Sequence, residues 1–184
     1  EIMPSLVGSE MCIRDRAVAL GALTSGAKFM SAYPITPSSE IMEYMVKYAP
    51  AEGGVMLQTE DEISACTMAI GAAYAGARAF TATAGPGLSL MAEAIGLAEM
   101  TETPLVVIDT QRGGPSTGLP TKHEQSDLMA AIYNTHGDTA KIVISPSSIE
   151  ESFYDTFEAF NLAEEYQCPV IAVSYTHLRA HETR

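Results

Sequence analysis

The chain has 184 residues, with 23 acids against 10 bases and a formal charge of −13. That balance excludes a nucleic-acid binder and a protein of anionic membrane surfaces, since both need clustered Lys and Arg. Three isolated cysteines give no disulfide framework, zinc pattern or iron–sulfur spacing, and no apolar run reaches membrane length, so a reduced, cytoplasmic setting is expected.

Taken from the N-terminus, the first element is not the first residue. Met11-Cys-Ile-Arg-Asp-Arg16 can be written as the codons ATG TGT ATA AGA GAC AG, whose reverse complement reads Val-Ser-Tyr-Thr-His, the residues at 173–177. Leu6-Val-Gly-Ser-Glu10 in turn gives Leu-Arg-Ala-His-Glu, the residues at 178–182. One DNA element in opposite orientations accounts for both ends, and it resembles a transposon adapter of sequencing libraries. Residues 1–16 and 173–184 are therefore expected to be adapter-derived tails, and 17–172 a single domain cut from a longer chain. The tails carry four acids and four bases, so 19 acids and 6 bases remain and the charge stays at −13.

Within 17–172 the apolar periodicity alternates between two types. Ala17–Lys28 reads as a small-residue helix and Phe29–Tyr33 as a strand. Pro34-Ile-Thr-Pro37 is a loop, because two prolines in four residues defeat either ladder. Pro37 opens the next helix, with Ile41, Tyr44 and Met45 on one face. Val55–Gln58 is a strand that stops at Glu60, Asp61 and Glu62, and a helix through Ala65, Ala69 and Ala72 follows. Ala79–Ala84 is a strand ended by Gly85-Pro-Gly87, and Leu88–Met100 a helix. Pro104–Asp109 is the strongest strand. A Gly/Pro/Ser loop, 111–120, precedes a helix over Lys122–His136, a strand over Ala140–Ser145, a helix over Ser148–Tyr166 and a last strand from Pro169. Strands alternating with helices predict an α/β fold, a three-layer α/β/α domain with a mainly parallel sheet. Its ligands belong at the strand carboxyl ends, which are the loops 33–38, 59–62, 84–87 and 110–118.

The chemically unusual residues fall in those loops. Each has an ordinary explanation beside a functional one. Acids at 60–62 suit a helix N-terminus. Gly85 and Gly87 can present N–H groups to an anion, or simply make a tight turn. Gly114-Pro-Ser-Thr-Gly118 has the Gly-x-Ser-x-Gly form of a hydrolase nucleophile elbow, but it lacks a strand running straight in and a helix straight out. Arg112 suits a carboxylate or phosphate clamp, or an internal ion pair among 19 acids. Three readings follow: an oxidoreductase subunit, an α/β hydrolase using Ser116, and a non-catalytic binding module.

Four motifs together discriminate. Ala32-Tyr-Pro-Ile-Thr-Pro-Ser-Ser39, Gln58-Thr-Glu-Asp-Glu62, Thr81-Ala-Thr-Ala-Gly-Pro-Gly87 and Gln111-Arg-Gly-Gly-Pro-Ser-Thr-Gly-Leu-Pro-Thr121 resemble the α subunit of 2-oxoacid:ferredoxin oxidoreductases, most closely the 2-oxoglutarate type. The resemblance covers 17–173 and implies the pyrimidine-binding domain of a thiamine diphosphate enzyme. It implies a catalytic glutamate against the cofactor's N1′, promoting deprotonation at thiazolium C2. In the family that glutamate stands nine positions before a helix glycine, here Gly71, which selects Glu62 with Glu60 second. By the same resemblance Arg112 and Thr36 bind the 2-oxoacid, and Pro34, Gly85 and Gly87 join Glu62 against the cofactor. Lys122 and His123 are candidates, on position alone, to read a distal carboxylate. The chain has no Gly-Asp-Gly and no cluster cysteines. The resemblance therefore implies that a β subunit supplies the diphosphate site, Mg2+ and a [4Fe–4S] cluster. It further implies coenzyme A as acyl acceptor and ferredoxin as electron acceptor, with this chain inactive alone. No metal site, nucleic acid or membrane is expected on this chain.

Overall fold

The structure is a computed structural model, described here for residues 3–122 and 124–175. Six strands form one parallel sheet: β1 (Phe29–Ala32), β2 (Val55–Gln58), β3 (Ala79–Thr83), β4 (Leu105–Thr110), β5 (Ile142–Ile144) and β6 (Pro169–Ser174), in the order β2-β1-β3-β4-β6-β5. Seven α-helices accompany it among the described residues: α1 (Met3–Thr24), α2 (Ser39–Tyr48), α3 (Glu62–Tyr74), α4 (Gly85–Leu90), α5 (Ala92–Met100), α6 (Ser126–Tyr133) and α7 (Ile149–Tyr166).

The helices divide between two faces because alternate strand residues point to opposite sides. Met30, Phe80, Ala82, Val106, Ile108, Val170 and Ala172 pack under α1, α2 and α7. Ala79, Leu105, Val107, Ile171 and Val173 pack under the small-residue helices α3, α4, α5 and α6. Central strands β3, β4 and β6 are buried along their whole length, as the near-continuous apolar runs predict. Phe80 and Phe160 meet edge to face, 5.7 Å between centroids.

The strand order locates the site. The chain passes from β1 outward to β2, then returns past β1 to lay down β3, so the loops after β1 and β3 leave the sheet in opposite senses. Such a switch point opens a crevice at the carboxyl ends of the strands. The loops at 33–38 and 84–87 flank it.

Several boundaries differ from those expected, each for a local reason. Helix α1 stops at Thr24, not Lys28. Gly26 takes φ +89°, Ala27 donates back to Ala22 O at 3.0 Å, and Lys28 N–H goes to Arg78 O, where β1 and β3 begin to pair. The helix also continues back to Met3, into the stretch assigned to the adapter. Arg14 and Asp15 are buried there, with the Arg14 guanidinium on the Asp15 carboxylate (Nε–Oδ1 2.9 Å) and on Tyr175 O. Burial lifts the Asp15 carboxyl to about 6 despite its arginine. Strand β6 likewise runs through Val173 and Ser174, which continue the pairing with Asp109 and Thr110. The expected helix over 88–100 divides at Met91 into α4 and α5, and α6 is confined to Ser126–Tyr133 before Gly137 at φ +71°.

The close approach of α1 and α7 depends on Gly21. A Cβ there falls 2.5 Å from Phe153 O and 3.2 Å from Thr156 Cβ. Gly21→Ala is expected to lower stability by about 1–3 kcal/mol through overpacking, although alanine is the better helix former. Urea unfolding of the two proteins checks this.

Candidate active site

The three acids after β2 have separate fates. Thr59 N–H bonds Ala32 O at 3.0 Å, and its hydroxyl donates to Asp61 O at 2.9 Å, fixing the exit from the strand. Asp61 is extended, at φ −159° and ψ 170°, and its carboxylate accepts the Ser64 N–H at 2.7 Å. Asp61 is thus the N-cap of α3. Glu60 is exposed. Glu62 begins the helix and turns inward, 7 % exposed.

Glu62 lies against the turn after β3. A Cβ added to Gly87 falls 2.8 Å from Glu62 Cγ, 2.9 Å from its Oε1 and 2.0 Å from Thr83 Oγ1. A side chain at 87 and a carboxylate at 62 cannot both occupy this space. The turn is otherwise conventional, with Pro86 in the first turn of α4, where its missing N–H costs nothing. Its amides are engaged within the chain: Gly87 N–H on Ala84 O at 2.7 Å, and Gly85 N–H on the Asp127 carboxylate.

Arg112 follows β4 and is 6 % exposed. Its N–H bonds Asp127 Oδ2 at 3.2 Å; Nη1 donates to Thr36 O at 2.8 Å and Nη2 to Thr117 O at 2.6 Å. The guanidinium thus crosses from its own loop to the loop after β1. Among the described residues the ion pairs are Arg14–Asp15 and Arg78–Glu164, so Arg112 is not the internal pair that 19 acids made possible. Its buried positive charge is met by neutral carbonyls.

The structure therefore brings Glu62, Gly85, Gly87, Thr36 and Arg112 to one end of the sheet. Thr36 enters through its carbonyl, at a cis Thr36–Pro37 peptide, and is itself exposed. Pro34 is exposed in the same loop and lines a groove of about 450 Å³ with Met42, Val46, Met56 and Gln58. Lys122 is exposed and accepts the Gly113 N–H on its carbonyl at 2.6 Å; His123 lies outside the described residues. Ser116, at φ +58°, is exposed in a loop closed by the Gly113–Leu119 bridge. Strand β4 ends at Thr110 and α6 begins at Ser126, so neither element of a nucleophile elbow adjoins this serine. Burial pushes the Cys66 thiol up to about 12 and raises that of Cys168, which removes both as nucleophiles at neutral pH.

Two further acids were not singled out in the sequence. Asp109 is fully buried near the end of β4, in register with Thr83, and neither carboxyl oxygen has a hydrogen-bond partner among the described residues. Burial holds its pKa well above the ordinary carboxylate value, and the neighbouring Asp127 adds to the effect. Its position as the polar terminus of Leu-Val-Val-Ile-Asp was a readable signal. Asp127, in the first turn of α6, is also raised by burial, offset in part by the Arg112 N–H. It had no signal beyond an acid near a helix start.

Two outcomes test this packing. Gly87→Ala is expected to cost about 1–3 kcal/mol in urea unfolding, whereas Gly96→Ala in α5, whose Cβ meets only Thr139 Cγ2 at 4.0 Å, gains roughly 0.5–1 kcal/mol. Asp109 binds its proton more tightly folded than unfolded, so its contribution to stability is whole below pH 3.8 and is lost as pH rises through the elevated folded value. Asp109→Asn is therefore expected to gain on the parent as pH increases from 4 to 8 in parallel unfolding titrations, and parallel curves would contradict it.

Comparison with known proteins gives this site its context. The family described as pyruvate flavodoxin/ferredoxin oxidoreductase, thiamine diphosphate-binding, matches residues 20–184. The chain is 55 % identical over 158 residues to 2-oxoglutarate synthase subunit KorA of Methanothermobacter marburgensis, covering 86 % of this chain and 42 % of that one. It is 47 % identical over 161 residues to the α subunit of 2-oxoacid:ferredoxin oxidoreductase 1 of Aeropyrum pernix, covering 84 % and 25 %. A solved 2-oxoglutarate:ferredoxin oxidoreductase from Magnetococcus marinus, with 2-oxoglutarate, coenzyme A and succinyl-CoA bound, superimposes with a TM-score of 0.88 at 51 % identity, over 90 % of this chain and 29 % of that one. The chain thus spans less than half the length of these relatives. With its parallel α/β sheet and the buried glutamate at the switch point, the chain belongs to the thiamine diphosphate-binding family of pyruvate flavodoxin/ferredoxin oxidoreductases.

Proposed function

We propose that this chain is the pyrimidine-binding part of the α subunit of a 2-oxoacid:ferredoxin oxidoreductase. The enzyme oxidatively decarboxylates 2-oxoglutarate to CO2 and the acyl-coenzyme A, with ferredoxin taking the electrons. The observation that carries the reading is the pairing of an inward-facing carboxylate, Glu62, with a buried guanidinium that no carboxylate of the described residues neutralises, at one switch point. The relatives of both substrate names support a 2-oxoacid, and those of subunit KorA favour 2-oxoglutarate.

The residues present fit the cofactor. A buried carboxylate beside a glycine turn that excludes any side chain suits a flat heterocycle carrying a basic nitrogen. Thiamine diphosphate supplies the electron sink that decarboxylation of a 2-oxoacid requires. Glu62 holds the proton at N1′ of the aminopyrimidine, with Gly85, Gly87 and Pro34 forming the adjoining backbone surface. Arg112 binds the substrate carboxylate, its guanidinium fixed by the carbonyls of Thr36 and Thr117, and Thr36 contacts the substrate from the facing loop. The low exposure of Arg112 strengthens that recognition by removing competing water.

A β subunit completes the centre with the diphosphate site, its Mg2+ and a [4Fe–4S] cluster, and the assembled enzyme works in the reducing cytoplasm. Cys66 and Cys168 are free thiols, and no described helix is long and apolar enough to cross a membrane. Residues 17–172 are the enzyme's own sequence, and the flanking segments derive from an adapter.

The test uses the α subunit assembled with β. Glu62→Gln is expected to slow C2–H exchange of bound thiamine diphosphate by about 10²–10⁴-fold, and Arg112→Met to raise the KM for the 2-oxoacid by roughly 10–100-fold. Wild-type exchange in Glu62→Gln would overturn the assignment of the proton-handling residue.

A further inference from the structure

The first turn of α6 carries an acid whose partners lie elsewhere. An acid in such a position ordinarily faces the free N–H groups of its own helix. The Asp127 carboxylate instead accepts the N–H of Arg112 at 3.2 Å, and the N–H of Gly85, from two loops that leave different strands. Ser126 Oγ reaches Asp127 Oδ1 at 3.4 Å. Glu124, three residues earlier, takes the Gly114 N–H at 2.7 Å, so this segment grips the Arg112 loop at two alternate amides. Asp127 is 6 % exposed, so bulk water competes little for its oxygens.

The fit is tight on the side of the glycine turn. A Cβ on Gly85 falls 3.0 and 3.1 Å from the two Asp127 oxygens. Each loop then leads to one working group: Gly87, two residues on, abuts Glu62, and the Arg112 guanidinium reaches Thr36. The ladder between β3 and β4 ends at Thr83 and Asp109, before either loop begins. Beyond that point one carboxylate joins the two.

We propose that Asp127 is a positioning residue, locking the glycine turn that seats Glu62 to the loop that aims Arg112, so that the proton-handling carboxylate and the substrate-reading cation keep one fixed separation. The proposal rests on the function assigned above to those two residues. A carboxylate is required because it accepts both N–H groups; an asparagine presents an amide donor to one of them. Small errors in such a separation cost large factors in rate.

The experiment compares Asp127→Asn, Glu62→Gln and Arg112→Met in the assembled α/β enzyme, reading the KM for the 2-oxoacid, C2–H exchange of bound thiamine diphosphate, and the thermal midpoint. Glu62→Gln is expected to move exchange, and Arg112→Met the KM. Asp127→Asn is expected to move both together, each by roughly ten- to a hundredfold. A lower thermal midpoint with KM and exchange unchanged assigns Asp127 a structural role only and overturns the proposal, as does a change in one parameter alone. If Asp127→Asn does not assemble, native-state amide exchange of the wild-type complex decides: the Gly85 and Arg112 amides are expected to open together, and independent protection overturns the proposal. If Glu62→Gln and Arg112→Met leave their parameters untouched, the functional assignment fails by itself, and amide exchange still reports on the Asp127 link.

Discussion

Glu62 can face the crevice only because Gly87 has no side chain. The carboxylate and the Thr83 hydroxyl fill the space in which a Cβ would stand. Everything around them serves that contact. Asp61 absorbs the capping duty of α3, which leaves Glu62 free of its own helix N-terminus. Pro86 gives the turn a fixed φ without forfeiting a needed donor. The small residues of α3 (Ala65, Cys66, Ala69, Ala73) let the helix sit low on the sheet, so that its first residue reaches the level of the β3 turn.

The electrostatics of the region are unusual for so acidic a chain. Glu62, Asp109 and Asp127 are all buried at one end of the sheet, with Arg112 the cation beside them. Burial, with the neighbouring Asp127 carboxylate adding to it, raises the Asp109 pKa and so favours its neutral form, which lessens the repulsion. Asp127 is held by neutral backbone donors, and Arg112 by neutral backbone acceptors. No pair in this group neutralises itself internally, which leaves the guanidinium's charge available to a ligand. The same arrangement explains why the glycine turn is not an anion cradle: the Gly85 amide is already committed to Asp127.

Much of this was legible in the sequence. All six strands, the parallel sense of the sheet and the four carboxyl-end loops follow from apolar periods and from Gly and Pro positions. The order β2-β1-β3-β4-β6-β5 does not, since six buried apolar runs carry no mark of which neighbours which. Glu62 was distinguishable from Glu60 by its spacing to Gly71 through family resemblance, and burial separates them in the same sense. Asp127 was invisible because its partners are backbone amides 15 and 42 positions away, and an amide has no sequence signature. The break at Met91 was equally hidden, since the apolar pattern runs through it unchanged.

The position of β6 between β4 and β5 bears on how the chain comes together during synthesis. Ile142–Ile144 emerges before Pro169–Ser174, the strand that is its neighbour in the sheet. Residues of β6 also belong to both cores, Val170 and Ala172 to one and Ile171 and Val173 to the other. Until that last strand inserts, β4 presents an open edge, β5 has nowhere to dock, and α7 covers an incomplete sheet. This sheet therefore carries its greatest risk of mispairing in the interval between synthesis of β5 and synthesis of β6.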